Sequence, residues 1–165
     1  MVEQVRRRRY FLPDGQLTTE QFAEYGGRVF RAVRARDDDT IILWGDDDEA
    51  PGTEWSRYSF GAALRAWRRA VDAREVDAFF GHTLWACLDG YRFEVGPYYP
   101  EDDTVALRGG VPVDTAPRGA AAAFDLYNHP YLQSHEGGAY FTGEVPLEEL
   151  SDFASESQDR RKRDR

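Results

Sequence analysis

Two stretches of the chain resemble each other, and this internal similarity constrains the fold more than any other feature of the sequence. Residues 26–45 read GGRVFRAVRARDDDTIILWG, and residues 89–109 read DGYRFEVGPYYPEDDTVALRG. Each stretch begins at a glycine turn and places a phenylalanine (Phe30, Phe93) three residues after it. Each then passes through a polar bend into Asp-Asp-Thr, followed by a leucine and a glycine. The pattern predicts two copies of one unit.

A second pair of matching segments lies further along the chain, in the same order. Residues 66–71 (AWRRAV) are followed by Glu75, Val76 and Phe79, and residues 140–145 (YFTGEV) by Glu149, Leu150 and Phe153, at the same spacing. Two blocks in one order favour duplication over chance resemblance among common residues. We therefore predict repeats at 16–81 and 82–154, a basic arm at 1–15, and a disordered charged tail at 155–165.

The second copy contains the clearest local signal, a β-hairpin. Asp89-Gly90 suits the positive φ angles of a two-residue type I′ turn between the flanking strands. That turn places Leu88 opposite Tyr91 and Ala86 opposite Phe93, which makes one side of the ribbon apolar. A further strand at 104–108 completes a meander, and by analogy residues 28–34 and 40–44 form a hairpin in the first copy.

Helices are predicted around these hairpins. Residues 19–25 begin a short helix, residues 118–128 form a longer one, and each copy closes on a short helix, at 72–80 and 147–154. Residues 59–70 have helical spacing although the repeat requires 67–71 to be extended, so both interpretations stand. The predicted fold class is α+β: two tandem β-rich repeats of hairpins or meanders, for which SH3-like barrels are one form, packed with two or three helices.

The charge distribution bears on the partner. The net charge is −9, and the arginine-rich ends at 1–9 and 159–165 each carry +3, which leaves −15 for the residues between them. An acidic body attracts basic proteins and repels nucleic acid, although acidity also serves solubility or adaptation to salt. The chain has no apolar run long enough for a membrane span and only one cysteine. We expect a cytoplasmic protein without disulfides.

Residues with catalytic or metal-binding potential are few. His129, His135 and Glu136 could hold a metal only as a weak alternative, because their spacing does not place ligands on one helix face. Cys87 has no neighbouring base or cation that would activate a thiol. The run at 46–49 could gather a divalent cation, but its spacing is not that of an EF-hand loop. No cofactor is predicted.

Acidic and aromatic residues in the predicted bends favour a binding surface over a catalytic site. Tyrosine and tryptophan anchor many protein interfaces, although aromatic side chains more often belong to cores. The candidate partner-binding residues are Trp44, Asp46, Asp47, Asp48, Glu49, Trp55, Tyr98, Tyr99 and Tyr131.

The turn motifs at Gly26-Gly27-Arg28 and Asp89-Gly90-Tyr91, together with YFTGEVPLEEL at 140–150, resemble small, uncharacterised actinobacterial proteins of the toxin-immunity type. The resemblance covers most of residues 12–153 and implies a fold rather than functional residues. Our leading hypothesis is a non-enzymatic binding protein, of the kind that inhibits a basic toxin or nuclease. The alternatives are a small metal-assisted enzyme with a site between the repeats, and a structural or phage-derived assembly component.

Overall fold

The computed structural model describes residues 6–60, 64–112 and 126–161, and most of these residues belong to antiparallel strands. The strands are β1 (Glu20–Tyr25), β2 (Arg28–Arg34), β3 (Thr40–Gly45), β4 (Ser56–Phe60), β5 (Leu64–Asp72), β6 (Ala78–Leu88), β7 (Tyr91–Tyr99), β8 (Thr104–Pro112), β9 (Leu132–His135), β10 (Tyr140–Pro146) and β11 (Ser151–Asp159).

All eleven strands belong to one sheet, in the order β4-β5-β3-β2-β1-β6-β7-β8-β10-β9, with β11 paired to β6. The predicted α+β class is therefore wrong, as is the expectation of separate SH3-like repeats packed with two or three helices. Helical backbone among the described residues is confined to Leu126–Tyr127 and to three 3-10 turns, at Ala73–Glu75, Glu136–Gly138 and Leu147–Glu149.

The predicted helix at 19–25 is strand β1. Ala23 lies opposite Phe30 of β2 and opposite Phe79 of β6, so β1 is hydrogen-bonded on both edges. The helical spacing of Phe22 and Tyr25 is outweighed by this two-sided pairing, because strand preference depends on cross-strand neighbours more than on local propensity.

The helices predicted at 72–80 and 147–154 are also wrong. Residues 72–80 and 147–154 contain only the 3-10 turns named above before the chain enters β6 and β11. The extended interpretation of residues 67–71 is correct, since they lie in β5. Residues 118–125 of the remaining helix lie outside the described residues. The predicted disordered tail is in part ordered, because β11 extends to Asp159.

The chain divides into two compact units. The first contains residues 20–82 with the described part of 157–165, and the second contains residues 7–19 with the described part of 83–156. Within the first unit the strand order is β4-β5-β3-β2-β1, with residues 78–82 of β6 beside β1, and within the second it is β9-β10-β8-β7, with residues 83–88 of β6 beside β7. The two units thus share one strand order.

The strand registers of the two units also agree. Thr40 and Leu43 of β3 lie opposite Asp72 and Arg69. Thr104 and Leu107 of β8 lie opposite Pro146 and Gly143. The turn after each pair makes the same hydrogen bond: the amide of Ala73 donates to the Asp39 carbonyl at 2.7 Å, and that of Leu147 to the Asp103 carbonyl at 3.0 Å.

The predicted hairpins are confirmed. Asp89 and Gly90 have φ angles of 51° and 82°, and Leu88 pairs with Tyr91 and Ala86 with Phe93. Each unit has its own hydrophobic core, formed by the side chains that alternate inward along its strands. The core of the first unit includes Phe30, Ile41, Leu43, Trp55 and Phe79, and that of the second includes Leu84, Phe93, Val95, Leu107 and Phe141.

Candidate interaction surface

Strand β3 places one tryptophan on the side of the sheet that faces away from the core of the first unit. Ile41, Leu43 and Gly45 are buried, whereas Ile42 and Trp44 are only partly buried. This is the period-two alternation of a strand with one face in the core. Trp44 therefore belongs to the opposite face.

Strand register brings two arginines beside this tryptophan. Arg31 of β2 and Arg68 of β5 are the direct cross-strand neighbours of Trp44, one on each side. Their guanidinium carbons lie 5.5 Å and 5.9 Å from the Trp44 ring centroid, within the range of cation–π attraction. Tyr58 of β4 meets Trp44 edge to face at 5.5 Å and lies 5.6 Å from the Arg68 guanidinium carbon.

The two arginines differ in whether a carboxylate neutralises their positive charge. Arg31 donates to Asp46 at 2.9 Å, in an ion pair whose side chains are both 22% exposed. Arg68 forms no ion pair within the described part of the chain, and its Nε is buried without a hydrogen-bond partner there. A polar atom in this state is costly to bury.

Two exposed valines extend this surface along β2. Val29 is 43% exposed and Val33 is 42% exposed. Val29 lies opposite the exposed Glu24 of β1, and Val33 lies opposite Ile42 of β3. We call the surface formed by Val29, Arg31, Val33, Trp44, Tyr58 and Arg68 the Trp44 face.

The acidic run that follows β3 borders this face. Asp46 is held by Arg31, as described, while Asp47, Asp48 and Glu49 are exposed. The backbone carbonyl of Asp48 accepts a hydrogen bond from the Trp67 indole at 3.3 Å, which fixes the course of the loop. Trp44 and the acidic run lie close together because they are neighbours in the sequence.

Trp55, another candidate, belongs to the core instead. Its side chain is 8% exposed and its ring centroid lies 4.9 Å from that of Phe30. It stabilises the first unit from inside and is not available to a partner.

The three candidate tyrosines lie in the second unit and in different settings. Tyr98 is 9% exposed, and its hydroxyl donates to Asp103 Oδ1 at 2.6 Å. This hydrogen bond, together with burial, raises the pKa of Tyr98 to about 12. Tyr99 is partly buried at the end of β7, and Tyr131 is 39% exposed with its ring 5.7 Å from that of His129. Tyr98 is therefore a framework residue.

The histidines proposed as metal ligands are engaged within the second unit. His129 Nδ1 accepts from the amide of Tyr131 at 3.3 Å, so its Nε2 carries the proton donated to Asp89 Oδ2 at 2.8 Å. His135 Nε2 lies 2.6 Å from Thr142 Oγ1, and Glu136 is exposed. Among the described residues, no three histidine, cysteine or acidic side chains are placed to hold a metal ion.

Sequence reasoning missed the arginines and valines of the Trp44 face. Arg28–Arg34 alternates Val29, Arg31 and Val33 with Phe30 and Ala32, and the latter two are buried. An alternation of valine and arginine on the solvent side of a strand was the available signal. Arginines are also concentrated here: residues 20–82 contain nine, against three in residues 83–156.

Comparisons with protein-family models, curated proteins and solved structures found no match for this chain. The resemblance to toxin-immunity proteins accordingly stays a prediction. Within the described residues, no helix has the length and apolar character needed to cross a membrane.

Proposed function

We propose that this chain is a non-enzymatic binding protein that docks a basic partner protein on the Trp44 face. The observation that supports this most is the composition of the face. Trp44, Tyr58 and Arg68 are mutual neighbours, and tryptophan, tyrosine and arginine are the residue types that contribute most to binding energy at protein interfaces.

The exposed apolar side chains beside this cluster add to the argument. Val29 and Val33 of β2 and Tyr58 of β4 are each more than one third exposed, and the strands β3 and β5, which carry Trp44 and Arg68, lie between them. Contiguous apolar surface next to polar residues is typical of a protein-binding site. Docking would remove these side chains from water.

The charge around the face favours a basic partner. Arg31 is paired with Asp46. Asp47, Asp48 and Glu49 are exposed at the border, and Glu24 lies opposite Val29. The net charge of −9 would attract a basic protein from a distance and repel nucleic acid. An immunity-type inhibitor of a basic toxin or nuclease in the cytoplasm is the specific form of this proposal.

We considered two alternatives, a metal-assisted enzyme and an assembly component. No hydrogen bond, ion pair or ring contact among the described residues favours either of them. His129 in particular uses both ring nitrogens within the second unit, which favours a structural role over metal binding or proton transfer.

Site-specific photo-crosslinking in the native host tests the proposal. A benzoylphenylalanine replaces Val33 on the Trp44 face, and in a matched control it replaces Phe11, which is 49% exposed in the second unit. We expect Val33, and not Phe11, to crosslink to one protein of basic isoelectric point. Absence of such a product, equal products from both positions, or a crosslink only to an acidic protein or to a second copy of this chain would contradict the proposal.

A further inference from the structure

The first unit contains a cavity of about 290 Å³ that the binding face does not use. Its floor is apolar and is formed by Ile41, Val76 and Phe79, each at most 5% exposed, together with Ala73. Its mouth is formed by the side chains of Arg34, Arg74 and Arg161.

Arg34 is held in place without being neutralised. Its NH1 group donates to the carbonyl of Asp38 at 2.7 Å, and its NH2 group donates to those of Arg160 and Arg161 at 2.8 Å and 3.1 Å. Its guanidinium carbon lies 5.2 Å from the Phe79 ring centroid. Carbonyls orient a guanidinium but carry no net charge, and no carboxylate pairs with Arg34 in the described ranges. A fixed cation is therefore present at the mouth.

The other two arginines add to this positive charge. The amide of Arg161 donates to Asp159 Oδ1 at 2.9 Å, but its guanidinium forms no ion pair with any described residue. Arg74 is paired with Asp72 at 3.0 Å and its side chain is 90% exposed. Three guanidinium groups thus lie at the opening of an apolar cavity, where the charge of Arg74 is offset by its pair with Asp72 and by the nearby Asp39 and Glu75.

This combination defines the chemistry of a ligand. The guanidinium of Arg161 can bind a carboxylate through two parallel hydrogen bonds. Arg34 donates both NH2 hydrogens to carbonyls and therefore adds its positive charge rather than a second fork. An apolar floor adds nothing for a bare inorganic anion but stabilises a ring or branched chain attached to the carboxylate. The volume lies at the lower end of the range for small-molecule sites, which limits the apolar body to about one or two rings.

We propose that this cavity binds a small organic carboxylate, with its carboxylate between Arg34 and Arg161 and its apolar body against Ile41, Val76 and Phe79. The site is separate from the Trp44 face, so this inference goes beyond the proposed function and does not depend on the identity of a protein partner.

The full-length protein can be titrated at pH 7 and constant ionic strength with benzoate, cyclohexanecarboxylate and 1-naphthoate, using ligand-observed NMR and calorimetry. Each acid is compared with its neutral alcohol, and inorganic phosphate serves as a bare anion. We expect at least one carboxylate to bind saturably, and at least tenfold more tightly than both its alcohol and phosphate. Equal affinity for acid and alcohol, equal affinity for phosphate, or no saturable binding would overturn the proposal.

Two variants locate the site. Arg161→Met removes a charge at the mouth while keeping the backbone hydrogen bond of residue 161, and we expect it to weaken carboxylate binding at least tenfold. Arg92→Met is the control, because it removes one guanidinium group, which lies 4.2 Å from the Trp85 ring centroid, from the second unit. Binding unchanged in Arg161→Met, or weakened equally in both folded variants, would overturn the assignment.

Discussion

The guanidinium carbon of Arg68 lies 5.9 Å from the centroid of the Trp44 ring, across the β3–β5 pair in which the two residues are direct neighbours. Arg31 occupies the corresponding place on the other side of the ring, in β2. The ring is therefore restrained from both sides, and little conformational entropy remains to be lost when a partner docks. This restraint makes Trp44 a suitable interface anchor although it is only partly exposed.

The core position of Trp55 predicts a large effect on stability. Trp55→Ala should lower the free energy of unfolding by about 3–5 kcal/mol, because a buried aromatic side chain is lost and a cavity remains beside Phe30. Tyr58→Ala, on the exposed face, should cost only about 1 kcal/mol. Urea denaturation followed by circular dichroism measures both values. Similar losses for the two variants would show that Trp55 is not a core residue.

The hydrogen bond between Tyr98 and Asp103 predicts a stability change at alkaline pH. The pKa of Tyr98 is raised from 10.0 to about 12, so the folded state holds the proton more tightly than the unfolded state. The resulting stabilisation is fully present below pH 10 and is lost as the pH rises through about 12. Tyr98→Phe should remove this dependence and cost about 1 kcal/mol at neutral pH. Denaturation curves between pH 8 and about pH 12 test it: parallel profiles for wild type and variant would contradict the assignment.

The hydrogen bonds to Asp72 predict a change in stability at acidic pH. Its carboxylate accepts from the guanidinium of Arg74 at 3.0 Å and from the amide of Arg74 at 2.8 Å, and these bonds, the first above all, lower the pKa of Asp72 to about 2. The corresponding stabilisation is present above pH 3.8 and is lost as the pH falls through about 2. In Arg74→Met the side-chain bonds disappear, so the pKa should rise toward 3.8. NMR titration of the Asp72 carboxyl carbon measures this, with Arg36→Met as control; an equal midpoint in wild type and Arg74→Met would refute it.

The hairpins could be predicted from the sequence because their signals are local. Asp89-Gly90 specifies its turn without reference to the rest of the chain, and the period-two alternation beyond it fixes which side chains face inward. The failed helix at 19–25 shows the limit of such reasoning. Phe22 and Tyr25 have helical spacing over one turn only, and the two strands that pair with this segment are not visible locally.

Part of the Trp44 face and its acidic border could be predicted from the sequence, because those signals are local. Trp44 and Asp46 were identified because they are close in sequence to an acidic bend. Arg31 and Arg68 were missed because only the register of β2 and β5 against β3 brings them to the tryptophan. Trp55 was misassigned because its loop position gives no indication that the chain returns to pack the ring against Phe30.

The central claim, that the Trp44 face docks a basic protein, is tested most directly by the affinity of the crosslinked partner for three forms of this chain. Calorimetry with wild type, Val33→Arg and the control Phe11→Arg compares an exposed apolar position on the face with one in the second unit. We predict at least a tenfold loss of affinity for Val33→Arg, no more than a twofold change for Phe11→Arg, and weaker binding of wild type as salt is raised. Equal affinities for all three forms would contradict the account.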